Sequence, residues 1–574
     1  MHNKSKTTQH ILITVCIVFL INWFGNSFYT RFDLTEDQRF TMSEITQNEI
    51  ENLEDTIRFS VYLHGDLPLT FSKMKREVAD FLEAIKRIGG NKIEIKYIDP
   101  LQIGETKKEK KAAFNRLTQK YGLKPYTIQE QDETGKYERR FIVPGIIVST
   151  SSSFVPVNLF SNVIGNTTDE QVYEALGALE YMCLKSIRQL TQTKPKKIAY
   201  ITNQNEASDV YVHDAISSLK EFYTVEKITT WQLLDSLNTY DIALIADPTS
   251  AFSPEDKFIL DQYLMHNGNL LCFFDKVYTN ADSLQHVSHT LALPKQLQIS
   301  DFLFHLGIRI KNTLLLDNQC AKVPLNMSQP GMQPNYQPVP WYYSPLLRGH
   351  KKHEITKDIS LVKSDFAGTI DTVEGGGNLQ KTILLNSSAY AREIQAPVEV
   401  GFSILERIGG NYFKDYYVPV ATLNEGDLYS FYTNRACPIT TEKLPPHFTQ
   451  KMKSDSNKII FVADADIIKN EVEINGLDTV PKPLHYYKYF AIDNKIYTGN
   501  KEFLLNAANY LSNDTDFIPL RTQDIQIRLL NKKRILQERT NWQLLNIGVP
   551  IIILIITGLI IMFVRKRKYN RHAS

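Results

Sequence analysis

The feature that most constrains this chain is Leu544–Val564, LLNIGVPIIILIITGLIIMFV, 21 residues without a charge, followed at once by Arg565-Lys566-Arg567-Lys568. At ~1.5 Å per residue such a helix spans about 31 Å, the thickness of a bilayer's hydrocarbon core. A helix buried in a soluble domain is rarely so long, so β-branched and so unrelieved, and Pro550 near its start is tolerated in a membrane span. Ile11–Tyr29 is a second uncharged run, of 19 residues. It outlasts the apolar stretch of a cleaved signal peptide, so it reads as an uncleaved anchor. Lys4, Lys6 and Arg565–Lys568 favour a cytoplasmic location for both tails, against a close count of basic residues on the inner flanks (Arg31, Arg39, Lys532, Lys533, Arg534, Arg539). The expectation is a two-pass protein of the cytoplasmic (inner) membrane with its bulk in the periplasm.

Between the anchors there is room for more than one domain. Lys plus Arg number 65 against 63 Asp plus Glu, a net charge of +2, which argues against nucleic acid as a partner. The expected organisation is a tail and transmembrane helix (1–29), a membrane-proximal segment and helix (30–55), and a small α/β domain (56–165). A larger α/β domain (166–520) with an irregular insertion at about 300–440 follows. A basic juxtamembrane segment (521–541), the second span (542–564) and a basic tail (565–574) complete it.

Thr41-x-x-Glu44 has the form of a capping box opening a first helix near the membrane. Ile57–Leu63, a helical face of Phe71, Met74, Val78, Phe81, Leu82 and Ile85, and Ile93–Ile98 spell strand, helix, strand. A helix at about 106–121 and a hairpin of Arg139–Val143 with Gly145–Thr150 complete a thioredoxin-like arrangement. No cysteine falls in 56–165, so redox chemistry is excluded there. Asp169–Leu190 reads as one helix with Cys183 on its apolar face. Lys197–Thr202, Val225–Ile228, Tyr240–Ala246, Asn269–Phe274 and Asn457–Ala463 are apolar, unalternating strands separated by helical patterns. Ser253-Pro254-Glu255-Asp256 marks a helix start. This is the text of a doubly wound parallel sheet, with the look of a class I glutamine-amidotransferase-like fold. The proline-rich stretch 327–345 reads as a long irregular loop, and Asn500–Leu511 as a helix.

Chemistry is sparse. Gly375-Gly376-Gly377-Asn378-Leu379-Gln380-Lys381-Thr382 ends like a phosphate loop, but Gln380 replaces the second glycine and no helix follows, so it reads as a hairpin turn. His286/His289 and His350/His353 lack a third ligand at metal spacing. No G-x-S-x-G elbow occurs. Cys272 lies mid-strand among apolar neighbours, where a thiol is inert. Cys183, Cys272, Cys320 and Cys437 allow three pairings if all are oxidised, or free thiols. Acids that close strands are the remaining candidates: Glu206, Asp247, Asp275 and Asp464 should share the edge where doubly wound sheets bind ligands. Turn formation and helix capping are the competing use of such residues. No metal or cofactor is expected.

Taken with the two anchors, Arg31–Glu44, Val61–Pro68, Tyr97–Pro100, Asp247–Asp275 and Gly499–Phe503 make the chain resemble the auxiliary, substrate-binding-like components of ABC transport systems. The resemblance implies a non-enzymatic subunit working with a multispanning ABC permease and a cytoplasmic ABC ATPase, in systems associated with gliding and type IX secretion. It departs from the family at Asn203-Gln204-Asn205-Glu206, where relatives read Gly-His-Gly-Glu. The alternatives are an envelope hydrolase or amidotransferase using Cys272 or the strand-end acids, and a glycan- or peptidoglycan-binding scaffold with Trp341-Tyr342-Tyr343 as stacking surface. An envelope glycan or a cargo protein would then be a further partner.

Overall fold

The computed structural model describes residues 17, 42–103, 106–131, 137–160, 168–192, 194–279, 282–285, 287–328, 332–409, 412–446, 448–476, 478–489, 497–521 and 532–570. The first anchor (Ile17 apart), Arg31–Thr41, His286 and most of the basic juxtamembrane stretch lie outside them. The chain is mixed α/β and divides into two units, Met1–Asp524 and Ile525–Ser574.

In the first unit, helix α1 (Glu44–Glu51) starts after Ser43, whose hydroxyl accepts from the Thr46 amide at 3.1 Å. The cap is therefore Ser43 and not Thr41, because Glu180 fixes Ser43 from a distant helix, accepting from its amide at 2.9 Å and its hydroxyl at 2.6 Å. Ile50 of α1 is fully buried among Ile85, Val172 and Cys183, so α1 belongs to the core and is no free stalk. Strand β1 (Ile57–Val61) runs parallel to β2 (Ile93–Tyr97), with α2 (Leu69–Gly89) crossing between them. Next come α3 (Lys107–Asn115), capped by a Thr106/Glu109 box, and the paired strands β3 (Tyr126–Gln131) and β4 (Tyr137–Ile142). β5 (Gly145–Ser149) and β6 (Phe154–Asn158) complete a sheet of order β2-β1-β5-β6.

The expected hairpin of 139–143 with 145–150 does not form; β5 pairs with β1 and β6 instead. A two-residue hairpin turn needs positive φ, which Val143 and Pro144 resist. The single helix expected at 169–190 is two, α4 (Thr168–Gly177) and α5 (Leu179–Thr191), the glycine ending the first.

The larger sheet starts as read. β7 (Lys197–Ile201), α6 (His213–Lys220), β8 (Thr224–Ile228), α7 (Thr230–Leu234), β9 (Ile242–Ala246), α8 (Pro254–Met265) and β10 (Asn269–Phe273) follow in order. α8 has its Ser253/Asp256 capping box and Pro254 in its first turn. The excursion expected to be irregular instead supplies long antiparallel strands to the same sheet: β11 (Cys320–Asn326), β12 (Tyr336–Gly349), β13 (Gly377–Asn386) and β14 (Pro419–Tyr429). The chain then returns to the parallel half as β15 (Lys453–Val462). The order is β11-β12-β13-β14-β15-β10-β9-β7-β8, with β15, β10, β9, β7 and β8 parallel.

The proline-rich stretch is thus half strand. Pro338 and Pro340 sit at alternate positions, so both missing N–H groups fall on one side, and Gln337 and Val339 ladder with Leu325 and Val323. The triple glycine is no hairpin turn either. It leads from Ile370–Thr372 into β13, where a Cβ on Gly377 would lie 2.1 Å from the Asp427 carbonyl. α9 (Gly499–Leu511) and α10 (Phe517–Arg521) close the unit.

In the second unit, α11 (Lys532–Asn570) contains Trp542–Val564, 23 residues that include an 18-residue window of mean hydropathy 3.0 with none of it buried. The helix continues through Pro550.

Candidate functional site

Parallel order β8-β7-β9 means that the chain leaves β7 in one direction and later returns on its other side. The C-terminal ends of β7 and β9 therefore flank a topological switch point, where open α/β sheets bind ligands. The loop after β7 is stitched to the loop after β9. The Gln204 carbonyl accepts from the Thr249 and Ser250 amides at 3.0 and 2.9 Å, and the Ala207 amide donates to the Ala246 carbonyl at 3.0 Å. Asn203 reaches the other way, its amide donating to Asp256 and the Thr230 hydroxyl at 3.0 Å each. Asn205 and Asp247 both have φ of 52°, in the left-handed region. Asparagine is among the side chains that tolerate it best, which suits Asn205 to this turn.

Three of the four candidate acids converge. Asp247 is bound on both oxygens, by Lys295 at 2.7 Å and Lys469 at 2.5 Å. Lys469 also reaches Asp275 at 3.3 Å and Asp466 at 3.1 Å, and the second Asp275 oxygen accepts from the Ala465 amide at 2.7 Å. Asp464 is fully buried, one oxygen accepting from the Asp466 amide at 2.7 Å and the other from the Asp365 amide at 3.2 Å. Burial pushes the Asp247 carboxyl up, but Lys469 and Lys295 outweigh it and hold the group below its usual range. Burial, then repulsion from Asp466, Asp275 and Asp365, drives Asp464 well above that range. Asp466, not foreseen from sequence, is raised to about 7 by burial against the opposing pull of Lys469. Two lysines thus face Asp247 and Asp275, while two further carboxyls favour the protonated form. The crevice neutralises itself.

Glu206 stands apart in this network. One oxygen accepts from the Gln204 amide at 3.0 Å, and the other is buried without a partner. Burial raises its carboxyl from 4.5 to about 7. The folded chain therefore keeps a proton that the unfolded chain releases, so this group's stabilisation is complete below about pH 4 and lost as pH rises through 7. Glu206→Gln is expected to flatten the stability–pH curve between pH 5 and 8 and to raise stability at pH 8 by about 1 kcal/mol. Denaturant midpoints across that range are the check.

Other candidates are placed as follows. Cys272 lies in β10 at 2% exposure, its thiol pushed up by burial, and Cys183 is fully buried and pushed up to about 12. Cys183, Cys272 and Cys437 are free thiols. A soluble thiol reagent is expected to modify Cys320 and Cys437 first, and Cys183 and Cys272 only on unfolding; rapid modification of Cys272 would restore a nucleophile. Trp341 and Tyr343 are 7% and 2% exposed and pack on each other at 5.0 Å, so they present no stacking platform. Among the described residues no group of three or more His, Cys, Asp or Glu is arranged to hold a metal.

The fold and this edge define a membrane-helix-bearing mixed α/β protein whose strand-end acids Asp247 and Asp275 are matched internally by lysines. The chain belongs to the family described as an ABC-type uncharacterized transport system, its auxiliary component, which matches residues 195–507. Residues 36–149 match a domain of unknown function, DUF7088. No curated protein sequence matches the chain. A solved structure titled "mmIFT52 N-terminal domain" aligns with 58% of this chain and all of its own, at 10% identity and a TM-score of 0.30, too loose a likeness to carry an argument.

Proposed function

We propose that the chain is a non-catalytic, membrane-anchored auxiliary subunit of an ABC transporter, of the kind represented by the gliding-motility protein GldG. In this reading helices at both ends seat it in the inner membrane, both termini are cytoplasmic, and the α/β body stands in the periplasm. A multispanning permease and a cytoplasmic ATPase are its partners, in a system associated with gliding motality and type IX secretion, and the body engages a partner, an envelope component or cargo. The small domain is a thioredoxin-like unit without cysteines, a reading supported by a parallel βαβ followed by antiparallel β5 and β6. The larger is amidotransferase-like, supported by its five parallel strands. Glu206, Asp247, Asp275 and Asp464 hold the strand-end loops together in this account.

The observation that carries the reading is the family match over 195–507 on a chain that also contains the 23-residue apolar helix Trp542–Val564. Two spans cannot enclose a transport path, and a subunit of this kind needs partners in the bilayer. Purification of the full chain from native membranes in mild detergent tests it. Recovery with a permease and an ABC ATPase in fixed ratio is expected; recovery as a solitary chain contradicts it.

A further inference from the structure

The triple glycine Gly375–Gly377 lies in an open cleft of about 750 Å³, together with His305, Tyr429, Phe431 and Arg435. The Gly376 amide donates to the His305 carbonyl at 2.7 Å, and the Gly376 carbonyl accepts from the Tyr429 amide at 2.9 Å. A Cβ at Gly376 would overlap the His305 ring, 1.8 Å from its Cε1, so only glycine lets the imidazole lie against this backbone. The ring is fixed by Nε2, which donates to the Tyr429 carbonyl at 2.7 Å. Arg435 is held just as firmly. Its guanidinium stands 3.7 Å from the centre of the Phe431 ring, which is 7% exposed and met edge-on by Phe302, His305 and Tyr432. The turn that carries Phe431 is set by Asp261, a fully buried carboxylate accepting from the Ser430 hydroxyl at 2.6 Å and the Phe431 amide at 2.7 Å. No Asp or Glu lines the cleft, and Arg435 enters no ion pair among the described residues. The acids on the same elements are already taken, Asp301 by Lys257 at 3.0 Å and Asp427 by Lys453 at 3.4 Å.

We propose that this cleft binds a small organic anion, whose carboxylate or phosphate group takes the fork of Arg435 while its body lies over the glycine backbone beside Tyr429. A guanidinium stacked on an aromatic ring and left without a carboxylate keeps its N–H donors for a bidentate oxyanion. The glycines do not act as a phosphate loop, since the Gly376 N–H is spent on His305, and the charge falls to Arg435. They serve instead to let a ligand approach the main chain closely. Small-molecule clefts run to roughly 300–1,000 Å³, so this one has room for more than an inorganic ion. Tyr429, 52% exposed, offers a ring to the ligand's body.

The site does not depend on the auxiliary-subunit reading, and its test needs no partner. The full chain in neutral detergent is titrated calorimetrically with phenyl phosphate and, separately, with benzoate, which share a body and differ in the charged group. Saturable binding at one site is expected for at least one of them, and the tighter of the two tells phosphate from carboxylate. Arg435→Gln should weaken that binding about tenfold or more, the loss of a charge-assisted bidentate contact, with an unchanged unfolding midpoint because the side chain is exposed. Arg58→Gln, at an arginine that is 56% exposed in the small domain, should leave it within about twofold. No saturable binding of either probe below about 10 mM overturns the site, as does binding that survives Arg435→Gln. An equal loss in Arg58→Gln overturns it too, because the effect would then be one of net charge.

Discussion

Replacing Lys469 by methionine is expected to destabilise the protein by about 3–5 kcal/mol at pH 8, the cost of removing one partner from a buried ion network. Lys469 is the one described cation that touches Asp247, Asp275 and Asp466 together, at 2.5, 3.3 and 3.1 Å. Its charge is disfavoured by burial, yet these three carboxylates hold the ammonium well above its usual range. Without it Asp275 keeps Lys295 at 4.0 Å and little else of positive charge. The penalty should shrink as pH falls below about 7, because Asp466 then takes up a proton and no longer needs the cation. Denaturant midpoints of the full chain in detergent at pH 8 and pH 6 measure both effects. A loss below about 1 kcal/mol, or one that ignores pH, would mean that the strand-end acids do not depend on the lysine, and a ligand-binding crevice would become the better account.

Asn500→Ala is expected to cost about 3 kcal/mol, because it strands three backbone groups in the interior. At 5% exposure, the Asn500 amide donates to the Lys363 and Ile467 carbonyls at 2.8 and 3.2 Å, and its oxygen accepts from the Lys363 amide at 2.9 Å. Glu502 adds an acceptor for the Ser360 amide at 2.8 Å. Gly499 leaves room for this clamp, since a Cβ there would stand 2.4 and 2.5 Å from the Ser360 and Leu361 carbonyls. Gly499→Ala should therefore cost at least as much, with backbone and not a flexible side chain having to move. Both losses are read from thermal or denaturant unfolding; a change under 1 kcal/mol at Asn500 would show that the 360–363 segment finds other partners. The Gly499–Phe503 text that resembles the family thus has a structural use, holding α9 against the antiparallel excursion.

The parallel half of the sheet was legible because its strands are buried on both faces. Ile242–Ala246 is apolar at every position and every one is buried, so periodicity and burial say the same thing. The antiparallel half was not. β13 has one half-exposed end with polar residues at alternate places, and β12 hides its strand character behind prolines that only a free edge tolerates. The acids Asp247, Asp275 and Asp464 were found because they follow buried strands. Their neutralisers were not, since Lys295 and Lys469 approach from loops 48 and 222 residues beyond Asp247, at no spacing a sequence pattern records. Ser43 displaced Thr41 as the first helix cap for the same reason, its deciding partner being Glu180. Local chemistry reads locally; charge balance across a sheet edge is a property of the tertiary fold.

The account depends most on where the α/β body stands relative to the bilayer that Trp542–Val564 is long and apolar enough to cross. Protease added to intact spheroplasts tests this directly. The expected result is digestion of the 42–521 region from outside, with the residues around 565–570 cut only after lysis. Protection of the 42–521 region until lysis would place it in the cytoplasm and contradict the proposed periplasmic assignment.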